Sequence, residues 1–301
     1  MKPSILHLMT AAKNASPFDV NMAFDAGFDK VMPYTNLALA DVAGLAQDAI
    51  FSRSPSGVKR EALFIGGRDI DLAIAMMDAA KNTMFEPFAC SIFADPSGAF
   101  TTAAAIVAKM EFHLEKQFKQ GLAGKTLCIL GGNGPVGGCT AIIAAQQGMQ
   151  VQLLTHKAVA ELSEKVGRWN SQYQVAMQVV DGTTEQARQQ VLEQAELMVC
   201  AASAGVRLIS QAQLQSAKNL KGLADVNAVP PTAVEGLGSD QDGQIFTAKA
   251  FAVGALAIGQ LKYQTQLQLL QRMLMADKPV YLEFGAAYRL ARDILSKPLP
   301  T

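Results

Sequence analysis

Short apolar runs alternate with longer segments of helical period along the first 120 residues. The apolar runs predict strands over residues 5–9, 30–33, 62–65 and 88–93. Apolar side chains three and four positions apart predict helices over residues 17–24, 38–50, 69–81 and 101–118. This alternation is typical of an α/β lobe built on a parallel sheet.

The pattern restarts after residues 119–124, which we predict to be the domain boundary. Residues 126–130 are uninterruptedly apolar, as expected for a parallel strand buried on both faces. Further strands are predicted at 151–154, 175–180, 197–201 and 222–226, alternating with helices at 136–147, 158–170, 185–194 and 211–217. A polar loop containing residues 236–243 then precedes predicted helices over 251–274 and 280–295.

The fold class that follows is α/β with two lobes. We expect an N-terminal α/β substrate lobe, residues 1–120, joined by a C-terminal helix within 275–301. Residues 121–274 are expected to form a Rossmann-type, doubly wound parallel sheet, and the C-terminal helices are expected to pack back.

A glycine-rich loop lies between the 126–130 strand and an alanine-rich helix. Its sequence is Gly132-Asn133-Gly134-Pro135-Val136-Gly137, which fits the pattern G-x-G-x-x-G. In that pattern the first glycine permits a tight turn, the second admits a pyrophosphate and the third allows helix and strand to pack closely. The loop therefore predicts dinucleotide binding; the alternative is a glycine-rich turn without a ligand.

The end of the next strand indicates which dinucleotide is bound. An Asp or Glu at this place usually holds the ribose of NAD, whereas this chain has Thr155-His156-Lys157, which favours the 2′-phosphate of NADP. If Lys157 is only solvated, NAD is accepted as well. Ala202, Ser203 and Asn227 follow later strands of the lobe and are predicted cofactor contacts, with loop capping as the alternative for Asn227.

Composition narrows the function classes. Half of the residues are hydrophobic and 17% are charged, which excludes disorder, and the formal net charge of +0 disfavours a nucleic-acid partner. No apolar run reaches the ~20 residues needed to cross a bilayer, and we expect no export signal and a cytoplasmic location. The four cysteines are spaced as buried thiols, and no motif for a metal site is present.

The chain resembles a known enzyme family in several motifs that keep their order and spacing. The motifs are Ser16-Pro17-Phe18-Asp19-Val20, Phe64-Ile65-Gly66-Gly67 with Asp69, Asp95 to Ala105, Gly132 to Gly137, Asp225 with Asn227-Ala228 and Pro230-Pro231, and Phe251 with Gly254 to Lys262. They are similar to those of the NAD(P)-dependent methylene-tetrahydromethanopterin dehydrogenases of methylotrophic bacteria, some of which use methylene-tetrahydrofolate. The resemblance implies two lobes around a cleft, a reduced pterin substrate, a role in one-carbon and formaldehyde oxidation, and a homotrimer.

In such a reaction the methylene bridge loses a hydride to NADP, and the methenyl cation is stabilised by its own nitrogen atoms. No protein base is then required, and the enzyme positions the reactants. The resemblance favours Lys262 as a catalytic residue, with a helix-surface lysine as the alternative. Asp95 is a second catalytic candidate because it follows an apolar strand at the edge where ligands of α/β sheets collect, with a turn-forming aspartate as the alternative. Predicted substrate contacts, each with capping or core packing as the alternative, are Phe18, Asp19, Ser97, Thr101 and Thr102.

Two other functions remain open on the sequence alone. A shikimate-dehydrogenase-like NADP oxidoreductase would share the two lobes, but it needs a lysine and aspartate pair for proton transfer, and the first lobe's sequence shows no convincing pair. A non-catalytic dinucleotide-sensing module would keep the glycine loop without turnover. The sequence also leaves open the choice of pterin, the NADP to NAD ratio and any accompanying cyclohydrolase activity.

Overall fold

A computed structural model describes residues 2–247 and 249–297. Packing divides them into a first unit, residues 2–101 with 262–290, and a second unit, residues 102–247, 249–261 and 291–297. The predicted lobes, 1–120 with 275–301 and 121–274, assign residues 102–120, 262–274 and 291–297 differently. This division places Lys262 in the first unit. Residues 298–301 of the predicted C-terminal segment lie outside the described residues.

The elements follow the predicted alternation closely. The strands are β1 (Ile5–Met9), β2 (Lys30–Tyr34), β3 (Glu61–Ile65), β4 (Ser91–Ala94), β5 (Thr126–Leu130), β6 (Gln150–Thr155), β7 (Met177–Asp181), β8 (Leu197–Cys200), β9 (Gly222–Asp225), β10 (Asp242–Thr247), β11 (Ala250–Val253) and β12 (Tyr281–Leu282). The helices are α1 (Pro17–Ala26), α2 (Leu39–Phe51), α3 (Ile70–Lys81), α4 (Ala99–Phe118), α5 (Pro135–Gln146), α6 (Val159–Tyr173), α7 (Glu185–Gln194), α8 (Gln211–Ser216), α9 (Ala255–Met275) and α10 (Phe284–Ser296).

The first unit contains a parallel sheet with strand order β12-β4-β3-β1-β2. Every residue of β3 and β4 is buried, which explains their uninterrupted apolar runs. Strand β2 lies at the edge of the sheet and contains Pro33. An edge strand tolerates proline because it has a neighbouring strand on one side only, so not every backbone N–H group has to donate a hydrogen bond within the sheet. The carboxyl ends of β1, β3 and β4 consequently lie side by side.

The second unit contains a seven-stranded sheet with the order β10-β11-β9-β8-β5-β6-β7. All neighbours are parallel except β10, which runs antiparallel to β11. Strands β6 and β7 lie on one side of β5, while β8, β9 and β11 lie on the other, which is the doubly wound Rossmann arrangement. The predicted α/β fold class is confirmed.

Three expectations near the C-terminus are wrong. The helix predicted over 251–274 begins only at Ala255, since residues 250–253 form the buried strand β11 beside β9. Gly254 separates the two elements, and a side chain there would overlap the backbone of Ser239. The predicted polar loop contains strand β10, and the helix predicted from residue 280 starts at Phe284, after the short strand β12.

The four cysteines are all buried and none forms a disulfide, as their spacing predicted. Burial raises the pKa of the Cys90 and Cys128 thiols to about 12. None of the helices within residues 2–247 and 249–297 is long and apolar enough to cross a membrane.

A buried ion pair attaches strand β10 to helix α4 within the second unit. The Lys109 ammonium donates to both carboxylate oxygens of Asp242, at 2.9 and 2.8 Å, and His113 Nε2 lies 2.8 Å from Asp242 Oδ1. The Lys109 and His113 side chains are each only 6% exposed, against 41% for Asp242. Burial alone would raise the pKa of Asp242, but the hydrogen bonds from His113 and Lys109 outweigh it and lower that pKa to about 2.

Replacing Asp242 by asparagine would leave the buried Lys109 ammonium without its counter-charge. We expect the D242N variant to lose about 2 kcal/mol of unfolding free energy at pH 7 in urea titrations, less than a fully buried pair would lose because Asp242 is partly exposed. The depressed pKa means that the Asp242 contribution is present above its ordinary value of 3.8 and disappears as the pH falls through about 2. The exposed neighbour Asp240 provides the control, D240N, and equal losses in both variants would contradict the assignment.

Candidate active site

A cavity of about 720 Å³ lies in the first unit, at the carboxyl ends of its strands. This is the edge at which ligands of parallel α/β sheets collect. Residues after β1, β3 and β4 line it, together with the start of α1 and one residue of α9. Four predicted site residues are among the lining residues, namely Phe18, Asp19, Ser97 and Lys262.

The Lys262 ammonium is the cation of this cavity that lies close to the predicted site residues Phe18 and Asp19. Its nitrogen lies 3.5 Å from the centroid of the Phe18 ring and donates a hydrogen bond of 2.5 Å to Gln266 Oε1, one helical turn further along α9. A cation over an aromatic face is attracted by the negative charge density of the ring. The predicted stacking residue Phe18, 44% exposed, therefore has the ammonium over its ring.

Gln266 joins Lys262 to Asp19. Its Nε2 donates to Asp19 Oδ1 at 3.1 Å, and both Gln266 and Asp19 are almost fully buried. Asp19 lies in the first turn of α1, which is capped by Ser16 and begins with Pro17. Gln266 was missing from the sequence prediction because it lies far along the chain from Asp19 and its residue type carries no motif.

Asp95 lies behind the cavity surface with no exposed area. One carboxylate oxygen accepts the backbone N–H groups of Phe100 and Thr101, at 2.9 and 3.1 Å, and the other accepts the Thr101 hydroxyl at 2.6 Å. These bonds satisfy free donors at the start of α4. Asp95 and Thr101 thus connect the loop after β4 to the start of α4, beneath the cavity surface. A direct contact of either residue with substrate stays a prediction, as it does for the half-buried Thr102, which belongs to the second unit.

The loop after β4 is held to the loop after β3. Ser97 adopts a left-handed backbone conformation with φ of 54°, and its hydroxyl donates to the Gly67 carbonyl at 2.8 Å. Gly98 follows with φ of +65°, and a β-carbon there would lie 2.9 Å from Lys262 Cε. The absence of a side chain at Gly98 leaves the space in which the lysine lies.

Burial controls the charges of this cluster. Burial, followed by repulsion from Asp95, raises the pKa of Asp19 to about 6, against the hydrogen bond from Gln266 and the charge of Lys262. Burial also raises the pKa of Asp95, opposed by Lys262 and by the hydrogen bonds at α4. For Lys262, burial lowers the pKa, and the two carboxylates oppose that shift.

With all three groups ionised, the cluster of Lys262, Asp95 and Asp19 has one surplus negative charge, while the cationic side chains Lys13 and Arg68 also line the cavity. Such a surplus stabilises a positive charge that develops on a bound molecule. The first unit also contains the lysine and aspartate pair that the sequence of the first lobe did not reveal. The pair was missed because its lysine, Lys262, comes from α9, far along the chain.

The glycine loop lies in the second unit between β5 and α5, as predicted. Side chains at Gly131, Gly132 or Gly137 would overlap the chain itself: a β-carbon at Gly131 would lie 2.5 Å from Ala202 N, and one at Gly132 would lie 2.5 Å from Leu153. At Gly134, the residue that caps α5, a β-carbon would meet no atom closer than 3.5 Å. Gly134 is therefore not required by the packing of the loop.

The tight turn differs in one detail from the prediction. The residue with positive φ is Gly131, at +92°, rather than Gly132. Pro135 is the first residue of α5, Asn133 is exposed, and the carbonyl of Val136 accepts the Thr140 hydroxyl within the helix. The first N–H groups of α5 and its helix dipole are suited to an anion.

The other predicted cofactor residues also follow strands of the second sheet. The Thr155 hydroxyl donates to the carbonyl of Lys157 at 2.7 Å, which forms a turn that leaves the His156 and Lys157 side chains exposed. Ala202 lies beside the glycine loop and Ser203 is exposed.

Asn227 has a structural use in the loop after β9. Its side-chain amide donates to the Pro231 carbonyl at 3.2 Å, and its side-chain oxygen accepts the Val229 N–H at 3.0 Å. The loop-capping alternative thus accounts for Asn227, and its contact with nicotinamide stays a prediction.

Comparisons with known proteins agree on the family. A family model described as the N-terminal part of methylene-tetrahydromethanopterin dehydrogenase matches residues 17–97. The chain is 42% identical to an NAD(P)-dependent methylenetetrahydromethanopterin dehydrogenase of Methylorubrum extorquens, over 98% of this chain and 99% of that protein. It is 27% identical to the bifunctional protein MdtA of the same organism, over 98% and 100% of the two chains.

Solved structures are similar in fold at much lower identity. A 5-ketofructose reductase of Gluconobacter has a TM-score of 0.54 at 14% identity, covering 97% of this chain and 99% of that one. A shikimate 5-dehydrogenase of Listeria monocytogenes has a TM-score of 0.53 at 14% identity, covering 97% and 96%. These structures support the two-sheet α/β architecture, whereas identity over nearly the whole chain shows the family. This protein belongs to the methylene-tetrahydromethanopterin dehydrogenase family.

Proposed function

We propose that this protein oxidises the methylene bridge of methylene-tetrahydromethanopterin to the methenyl form with NADP as hydride acceptor. The observation that carries the proposal is the buried cluster of Lys262, Asp95 and Asp19 at the sheet-edge cavity of a chain from this family. Its surplus negative charge is suited to a substrate that becomes a cation when the hydride leaves.

The second unit has a place that fits the dinucleotide. Gly134 is open in front of the start of α5, and the loop around it is closely packed without a ligand, so that a pyrophosphate can approach the backbone there. The exposed His156 and Lys157 support the choice of NADP, because they offer donors to a 2′-phosphate. NADP, when bound, accepts a hydride at nicotinamide C4.

The residues of the first unit act by position and charge. Because the methylene carbon loses a hydride with its electron pair, the substrate keeps its protons and no side chain has to act as a base. The protonated Lys262 donates to the pterin and orients it, while Asp95 and Asp19 compensate the lysine and stabilise the growing positive charge. Phe18 and Ser97 line the cavity that receives the ring.

The same site could instead serve a shikimate-dehydrogenase-like reaction, because it contains a lysine and two aspartates, or a sensing module without turnover. The decisive assay mixes the purified protein with methylene-tetrahydromethanopterin and NADP and follows the absorbance of NADPH and of the methenyl product. Parallel assays with methylene-tetrahydrofolate and with NAD determine the preferred pterin and nicotinamide. NADP binding without absorbance change would support a sensor. The homotrimer and the cytoplasmic location stay predictions that rest on the resemblance.

A side chain at Gly134 should block the cofactor and leave the fold intact. We expect G134V to weaken NADP binding at least tenfold in titration calorimetry, because the valine occupies the space of the pyrophosphate, with little change in unfolding free energy. The matched control is G167A on α6 in the same unit, where a β-carbon meets nothing within 4 Å. Unchanged NADP affinity in folded G134V would contradict the predicted site.

Lys157 should distinguish the two nicotinamide cofactors. We expect K157A to weaken NADP binding about fivefold to tenfold, about 1 kcal/mol for one exposed charge pair, and to leave NAD binding unchanged. K218A removes the same charge from another exposed position of the second unit and should change neither affinity. An equal loss for both cofactors would show that Lys157 makes no contact with the 2′-phosphate.

The Lys262→Met variant tests whether lysine acts as a cation or as a base. We expect a kcat at least tenfold lower, with unchanged NADP affinity and no rise of the wild-type rate with pH above 7. As Asp19 has a pKa of about 6, the wild-type kcat should fall when the pH drops through that value and protonation removes the surplus negative charge. A wild-type rate that rises further with pH above 7 through one ionisation, and loses that rise in K262M, would identify a base.

A further inference from the structure

The side chain of Gln266 is buried between the two charged groups that border the cavity. It has no exposed area, and it contacts the Lys262 ammonium with its oxygen and the Asp19 carboxylate with its nitrogen. Lys262 and Gln266 are four residues apart on α9, so they lie on one face of the helix. Asp19 comes from α1 and is brought to the same place by the fold of the first unit.

The chemistry of the partners determines how the amide is oriented. An ammonium can only donate hydrogen bonds and a carboxylate can only accept them, so the oxygen must face Lys262 and the NH₂ group must face Asp19. A reversed amide would leave a donor against a donor and an acceptor against an acceptor, which is costly at a buried position. The observed orientation is the one that a protonated Lys262 and an ionised Asp19 require.

We propose that Gln266 is a positioning residue that holds Lys262 in its protonated form over the Phe18 ring and couples it to Asp19. The charged groups around Gln266 are Lys262 on its own helix, Asp19 on α1 and Asp95 after β4. Burial opposes the charge of Lys262, and the acceptor that Gln266 supplies offsets part of that cost. The proposal deepens the proposed function, since it assigns the residue that keeps the lysine cationic.

The reactivity of the Lys262 amine tests this assignment without any substrate. Only the neutral amine reacts with acetic anhydride, so mass-spectrometric labelling of Lys262 across a range of pH measures its pKa in the folded protein. In Q266L the acceptor is lost, and we expect labelling of Lys262 to shift toward lower pH by about one unit. In Q266E a carboxyl group faces the ammonium, and we expect the shift in the opposite direction.

Turnover supplies a second measurement with a distinct signature. We expect Q266L to lower kcat about tenfold while the NADP dissociation constant stays within twofold of the wild type. In Q266E the new carboxyl and Asp19 share a proton at low pH. Once both are ionised they repel each other and no longer hold Lys262 in position, so kcat should fall between pH 6 and pH 8.5, where the wild-type kcat does not fall. Q264L, at an exposed position of the same helix, should match the wild type in both measurements.

The two measurements separate the possible failures. If Lys262 is labelled identically in wild type, Q266L and Q266E, the positioning role of Gln266 is overturned, whatever the activity. If labelling shifts as expected but wild-type protein does not convert methylene-tetrahydromethanopterin, the proposed function fails and the coupling of Gln266 to Lys262 stands.

Discussion

The buried carboxylate of Asp95 is the interaction on which the edge of the first sheet depends. Asp95 is fully buried and accepts hydrogen bonds from two backbone N–H groups at the start of α4 and from the Thr101 hydroxyl. Its negative charge is opposite to that of the buried Lys262. A buried charge is costly unless hydrogen bonds and an opposite charge compensate it; Asp95 accepts three hydrogen bonds, and the charge of Lys262 offsets part of the cost of burial. The position of the 95–98 loop depends on this carboxylate. The loop contains Gly98, which leaves the space for Lys262.

The central strands β5 and β8 of the second sheet were predictable because parallel strands buried on both faces are apolar without alternation. Strands β10 and β11 were missed for opposite reasons. Strand β10 begins with Asp242, a polar residue whose side chain contacts α4, and β11 is a short apolar run that is equally compatible with a helix. In both cases a partner distant in sequence determines the strand.

The same limit applies to the site. Phe18, Asp19, Ser97 and Lys262 were predicted through family motifs, and the structure brings them to one cavity. Gln266 carries no motif, and only the fold shows that its amide lies between two charges from α9 and α1. The sequence pattern alone also does not show which glycines of the loop the fold requires. The packing shows that side chains at Gly131, Gly132 and Gly137 would overlap neighbouring atoms, whereas the space at Gly134 is open to a ligand.

The burial of the cysteines has a consequence for chemical durability. With a pKa of about 12, the Cys90 and Cys128 thiols are ionised in only about one molecule in 10⁵ at pH 7, and burial also raises the pKa of the Cys200 thiol well above its ordinary value. The thiolate is the form that attacks aldehydes and other electrophiles. Burial thus protects these sulfur atoms, because alkylation and hemithioacetal formation are slow when the thiolate is scarce and out of reach.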